Sequence, residues 1–302
     1  VDLADVVSKN SATITLRCPL PVENANQNSI EMTEVSPEPV LENYQQTLIH
    51  QLSTEKNIQD RTYFRQTFVV PVYAISSTVN ADKISQKSVV MSDTLYNLAT
   101  KPDELIQSDN EDVKELAATI CNNEKNPYKK AKLIYDYMLE NYKVEEKTRK
   151  NDADPLDLLK RKRGDAYDLA IFYTTLLRAA GIPAFADCGI LVSPDMMTRN
   201  HAWSEFYISG LGWIPVDVAL GAGMEYNKWD EEIDAAKYYF GNLDSHHIKF
   251  SRGLNSLKPF SQDSKIVQRP RSFAFQNIWE EASNSTVKYS SFWSDPVVKG
   301  IY

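Results

Sequence analysis

The period of the apolar positions changes once along the chain. From residue 11 to 95 it is that of strands. "SATITLRCPL" alternates, and "TYFRQTFVVPVYAISSTV" is dense in β-branched and aromatic residues. Pro19, Pro21, Pro37, Pro39 and Pro71 punctuate this region, which predicts a small antiparallel β domain. From about residue 111 the period becomes helical. In "EDVKELAATICNN", Val113, Leu116, Ala117 and Ile120 share one face. "NPYKKAKLIYDYMLENY" predicts a second helix, with Asn126 as N-cap and Pro127 at the first helical position. Its inward face carries Ala131, Ile134, Tyr135 and Met138. Residues 143–157 are charged and polar and read as a connecting loop.

A third helix follows the Gly164–Asp165–Ala166 turn. Leu169, Phe172, Tyr173, Leu176, Leu177 and Ala180 recur at three- and four-residue steps, and Ala170 and Ile171 fill the opposite side. A helix apolar on nearly every side is a buried one. Gly181 stands where a C′ glycine belongs, and Pro183 prevents continuation. "AFADCGILV", "HAWSEFYI" and "GWIPVDVAL" predict strands, the last two joined by the hairpin loop "SGLG". Beyond residue 222, "IDAAKYYFGNLD" reads as a short helix and turn, and "HHIKFSRG" as a strand. The tail reads as mixed strand and loop.

Composition narrows the function classes. The chain has 302 residues, 42% hydrophobic, enough for two ordinary domains or one large one. Its net charge of −8 argues against a nucleic-acid partner, since no basic stripe exists beyond Lys160–Arg163. Cys18, Cys121 and Cys188 form neither a disulfide framework nor a zinc pattern; one bridge or three free thiols are both open. No run of eighteen apolar residues predicts a membrane span. The chain begins at Val1 with no methionine or signal sequence, which reads as a trimmed or processed chain. The Asn-, Gln-, Thr- and Ser-rich first fifty residues suggest an extracytoplasmic location.

Three elements carry candidate chemistry. Side chains of like parity share a face of a strand, so His201, Trp203, Glu205 and Tyr207 point one way. On the partner strand Trp213, Pro215 and Asp217 do the same. A hairpin turning near residue 209 or 210 sets His201 and Asp217 opposite or diagonal, within reach of an Nδ1–H···carboxylate bond. That is the base and orienting acid of a nucleophilic triad. The nucleophile belongs at position 166, where a helix N-terminus would stabilise a thiolate and offer N–H groups to an oxyanion. Ala166 keeps the helix and its donors but has no reactive atom.

"RGDAYDLAIFYTTLLRAAGIPA" followed by "HAWSEFYISGLGWIPVDVAL" resembles the bacterial core domains of the transglutaminase-like superfamily. The family pattern is Gly-x-Cys-x-x-x-Ala with a Leu-Leu-Arg-Ala-x-Gly-Ile-Pro-Ala-Arg helix end, then His-Ala-Trp, then Gly-Trp-x-Pro-x-Asp. The likeness covers roughly residues 110 to 250, including "YFGNLD". It departs at Ala166, where the family has cysteine, and at Phe185, where the family has arginine. The resemblance implies an α+β, papain-like or transglutaminase-like core. It implies acyl transfer or amide hydrolysis through a Cys–His–Asp triad with no cofactor, His201 being the base and Asp217 its orienter. The substrate would be a peptide, a protein or a glycan-linked molecule. Asp165, Tyr167, Trp203 and Trp213 become candidates for the substrate cleft.

Ala166 is either a deliberate cysteine replacement or a natural loss. The second case leaves a pseudoenzyme holding a peptide or glycan in the old cleft; a purely structural role is the third reading. Each residue also has a plainer reading. His201 alone reads as a satisfied core histidine and Asp217 as a turn cap. Trp203 and Trp213 read as core, Asp165 and Asp168 as helix-start charges, and Tyr167 as packing. Cys188 reads as a structural thiol. His246, His247 and Asp244 resemble a metal cluster only superficially, so no metal is expected. The expected division is a β-rich domain over 1–100, the core over 101–250, and an extension over 251–302 packing on that core.

Overall fold

The computed structural model describes residues 1–302 except 45, 85–90, 149–153, 227–228, 230–232, 254–256, 270 and 276–277. Strands β1 (Asp2–Val7), β2 (Ala12–Pro19), β3 (Glu31–Ser36), β4 (Leu41–Tyr44), β5 (Thr47–Thr54), β6 (Thr62–Tyr63) and β7 (Arg65–Val69) come first. Helices α1 (Asp93–Thr100), α2 (Glu111–Cys121) and α3 (Pro127–Asn141) follow. Then come β8 (Lys143–Val144), α4 (Asp157–Arg161), β9 (Arg163–Gly164) and α5 (Ala166–Ala179). The remainder is β10 (Ala184–Val192), β11 (Thr198–Ile208), β12 (Gly212–Val216), α6 (Val218–Gly221), α7 (Ala235–Tyr238), β13 (His247–Arg252), β14 (Lys265–Gln268), β15 (Trp279–Ala282) and β16 (Lys288–Phe292).

The fold is α+β, and its helices start where their caps dictate. Asn110 Oδ1 accepts from the first-turn N–H groups of Asp112 and Val113 on α2, and Asn126 does the same for α3 with Pro127 behind it. On α5 a capping box closes both ways. Asp165 accepts from the Asp168 N–H, and Asp168 accepts from the Asp165 N–H. Its far end stops as expected: Gly181 has φ +79°, and the Ile182 N–H reaches back to the Leu177 carbonyl. Nearly every side chain of α5 is buried. Burial on all sides follows from its position between α2, α3 and the strands β10 and β11.

The central sheet is antiparallel with order β12-β11-β10-β13. The β11–β12 hairpin turns through Gly210 and Gly212, both at positive φ. Gly189, opposite His201, admits no larger residue, because an added Cβ would lie 1.8 Å from the Ile248 carbonyl oxygen. One cluster of buried side chains unites α2, α3, α5, β12 and α6.

The other strands form separate sheets. One runs β14-β15-β2-β5-β4, a second β16-β1-β6, and a third pairs β3 with β7. Leu3, Val6, Ala12, Ile14, Leu16, Phe64 and Val287 make their small core. The sequence reading differs from the structure in three places. Residues 93–100, at the end of the expected β-rich domain over 1–100, form a helix capped by Ser92. The loop read over 143–157 begins with β8, which pairs in parallel with β9; its residues 149–153 lie outside the description. The tail does not only pack on the core. Phe273, Ala274 and Ile278 pack against Ile190 and Phe250, but β15 pairs with β2 and β16 with β1. Unpaired strand edges recruit strands whatever their distance along the chain, which composition alone does not reveal.

Candidate active site

Ala166 is the first residue of α5, and Asp165 is its N-cap. Ala166 is buried in the same cluster as Val216, Val218, Ala219 and Leu220, the residues flanking Asp217. Arg271 grips this helix start from the C-terminal segment. Its guanidinium lies 2.8 and 2.9 Å from the Asp165 oxygens and 2.8 Å from Asp168 Oδ1, with all three side chains buried. Arg161 adds a second contact to Asp168 at 3.1 Å. Negative charge at a helix N-terminus is favourable in itself, and the arginine compensates its burial.

His201 lies on β11 and Asp217 just past the end of β12, where Asp217 Oδ1 accepts from the Leu220 N–H and caps α6. Val216 pairs with Ser204, so position 217 falls diagonal to His201 rather than opposite it. The far ring nitrogen spans that diagonal: His201 Nε2 lies 2.5 Å from Asp217 Oδ2, and both residues are fully buried. The expected Nδ1 contact is therefore corrected to Nε2. Burial opposes ionisation of Asp217, but the His201 ring and the hydrogen bonds from His201 and His247 outweigh it and hold the carboxyl well below the usual range. An ionised carboxylate only accepts, so His201 Nε2 carries the proton. His201 Nδ1 is buried and without a hydrogen-bond partner among the described residues.

His247, which the sequence reads only as part of a superficial metal-like cluster, belongs to the same site. Its Nε2 lies 3.2 Å from Asp217 Oδ2 and its Nδ1 2.7 Å from Asp244 Oδ1. Burial would lower the His247 pKa, but Asp244 and Asp217 push it up to about 9. The Asp-x-x-His separation gives no periodic signal; the cue "LDSHH" reads only as a superficial cluster. The ligating atoms of His201, Asp217 and His247 lie within 4.8 Å of one another. Donors sharing a tetrahedral zinc stand about 3.3 Å apart, given bonds of roughly 2.0–2.1 Å. The 2.5 Å separation here suits a hydrogen bond and leaves no room for an ion between the pair.

Three of the four candidate cleft residues, Asp165, Tyr167 and Trp203, are buried, and Trp213 is half-buried. Tyr167 is held by a hydrogen bond from its hydroxyl to the Ser272 carbonyl and by the Phe275 ring. Trp203 stacks on His201, and Trp213 lies against Phe185 under the Arg252 guanidinium. An open cavity of about 490 Å³ lies elsewhere on the sheet, bordered by Leu191, Ser193, Met197, Arg199 and Tyr226. Arg199 has the parity of His201 on β11, which places the cavity along the same strand. Cys18, Cys121 and Cys188 are all free and buried; burial raises the Cys188 thiol pKa far above the ordinary value.

Comparison with known proteins gives the class. Residues 114–218 match the family described as the transglutaminase-like superfamily. The chain thus carries a transglutaminase-like core. It is 32% identical over 168 residues to an uncharacterized protein of Haemophilus influenzae, covering 46% of each. It is 26% identical over 183 residues to uncharacterized protein YebA of Bacillus subtilis, covering 54% of this chain and 24% of that one. The matched part is less than half the length of either relative. Among solved structures, a candidate cysteine protease from Cytophaga hutchinsonii aligns over 98% of this chain and 90% of its own, with 17% identity and a TM-score of 0.49. The periplasmic domain of TgpA from Pseudomonas aeruginosa aligns over 71% and 72%, with 16% identity and a TM-score of 0.38. Among the described residues no helix is long and apolar enough to cross a membrane.

Proposed function

We propose that this chain is the scaffold of a thiol-dependent acyl-transfer enzyme, acting on an amide of a peptide, protein or glycan-linked substrate. The nucleophile would be a cysteine at position 166, with His201 as base and Asp217 as the group that orients it. The observation that carries this reading is the state of the His201 ring. One nitrogen is bound to a buried carboxylate, and the other is buried and has no hydrogen-bond partner among the described residues. A buried ring nitrogen without a partner is costly and calls for one. A thiol on the first residue of α5 would supply it.

The chemistry would run as follows. The thiol proton passes to His201 Nδ1, while Nε2–H stays on Asp217. The thiolate sulfur attacks the amide carbonyl, and the oxyanion takes the Ala166 and Tyr167 N–H groups, first-turn donors that the capping box does not use. His201 then protonates the leaving amine. Water or a second amine releases the acyl group. Ala166 has no sulfur, so the sequence as it stands forms no acyl-enzyme. A binding role for the same site is the second reading, favoured by the intact capping box, Asp217 and His201 around an unreactive Ala166. We place its action outside the cytoplasm, on the polar N-terminal composition. We also propose that the strands of 1–70 and 265–292 together form an accessory β layer.

The test is Ala166→Cys. The introduced thiol should react with iodoacetamide at mildly acidic pH faster than Cys18, Cys121 or Cys188. His201→Ala in that background should remove the advantage. A thiol that labels no faster than an unfolded cysteine overturns the enzyme reading and leaves the binding one.

A further inference from the structure

We propose that His247 is a fixed imidazolium, held between Asp244 and Asp217, and acts as a positioning residue that sets the charge felt at position 166. This rests on the reading of His201 as the base. The geometry carries it. Both ring nitrogens of His247 face carboxylate oxygens, Nδ1 on Asp244 at 2.7 Å and Nε2 on Asp217 at 3.2 Å. Ionised carboxylates only accept, so both nitrogens must bear protons.

Both carboxylates are fully engaged as acceptors. Asp217 takes the Leu220 N–H on Oδ1, and His201 and His247 on Oδ2. Asp244 takes the His246 N–H and His247 on Oδ1, and the Tyr239 hydroxyl on Oδ2 at 2.9 Å. A neutral His247 would leave one of these contacts as two facing acceptors. Burial favours a protonated Asp244, but His247 and these donors keep it ionised, well below the usual carboxylate range.

The groups facing His247 come from every neighbouring element. Asp217 comes from the cap of α6, and His201 and Trp203 from β11. Tyr239 follows α7, with its ring 6.1 Å away. Asp244 and His246 lie in the turn before β13, and Tyr226 feels the Asp244 charge. Counting formal charges, Asp244 and Asp217 carry two negative charges against one on His247. The ring nitrogen of His201 therefore meets an Asp217 oxygen that His247 also contacts. Without the His247 cation, a thiol at position 166 and an imidazolium at His201 would both hold their protons to higher pH.

The first measurement uses the chain as it stands. Nitrogen-15 NMR should show both His247 ring nitrogens protonated at pH 7.5, and Asp244→Asn should move that titration down. A singly protonated His247 at pH 7.5 overturns the proposal whether or not the thiol reading holds. The second uses Ala166→Cys with and without His247→Gln. Both limbs of the pH profile for iodoacetamide labelling should move up by about one pH unit. A reactive thiol whose profile stays in place overturns the proposal, since a purely packing role would change amplitude or stability and not both limbs together. If the thiol is unreactive while His247 is doubly protonated, the charge arrangement stands and the thiol reading falls.

Discussion

Two buried charged clusters share one sheet and differ in kind. His201, Trp203 and Glu205 alternate along β11, and His247 and Lys249 along β13. At the Glu205 end the charges balance. Lys249 Nζ lies 2.6 Å from Asp187 and 2.7 Å from Glu205, and Arg252 adds a contact to Glu205 at 3.1 Å. Burial and the Glu205 charge push Asp187 up to about 7, whereas Lys249 and Arg252 hold Glu205 below its ordinary value against burial. At the His201 end, with His201 neutral as the proposed base, negative charge is in excess, and one ring nitrogen has no hydrogen-bond partner among the described residues. Trp203 separates the two, stacked on His201 and lying beneath Lys249 Nζ at 5.9 Å. A balanced cluster gives the sheet a fixed register. An unbalanced one with an open acceptor keeps a site poised for a further group.

The contrast can be broken most severely at the balanced end. Lys249→Met leaves two buried carboxylates facing each other and should cost about 3–5 kcal/mol in urea unfolding. A loss under about 1 kcal/mol would mean that the cluster is hydrated and does not define the sheet.

The second prediction uses pH. The folded pKa of His247, about 9, exceeds its unfolded value near 6.5. Its contribution is therefore complete below about pH 6.5 and is lost as pH rises through 9, a fall of up to about 3 kcal/mol. His247→Gln should flatten this slope. Asp187, raised to about 7, adds a fall confined to lower pH, between about 4 and 7. Unfolding curves taken at pH 5 to 9.5 separate the two windows.

Third, Ala166→Cys against Ala166→Cys/His201→Ala should differ about a hundredfold in alkylation rate at pH 6, in keeping with general-base effects. Lys249→Gln in the Ala166→Cys chain, if it folds, should leave that rate within a few-fold. The smallest effect belongs to His201→Leu in the chain as it stands. It removes one hydrogen bond to Asp217 but also a ring nitrogen that has no hydrogen-bond partner among the described residues, so the net loss should be about 1 kcal/mol or less. A loss matching Lys249→Met would make His201 a structural residue.

The parts legible in the sequence were local ones. The α5 pattern with Asp165 before it and Gly181 after it named a buried, capped helix, because period and cap chemistry act within a few residues. The "SGLG" turn and strand parity likewise brought His201 to Asp217, since a hairpin's register follows from its loop. Which ring nitrogen meets Asp217 was decided by tertiary structure, through the diagonal offset at the end of β12. So was the place of His247, 30 residues beyond Asp217, and of Arg271, 106 residues beyond Asp165. The pairing of β15 with β2 also belongs there, being set by which edge strands meet. None of these contacts leaves a periodic trace along the chain. Each arises when the folded core brings distant charges together in a place where water no longer screens them.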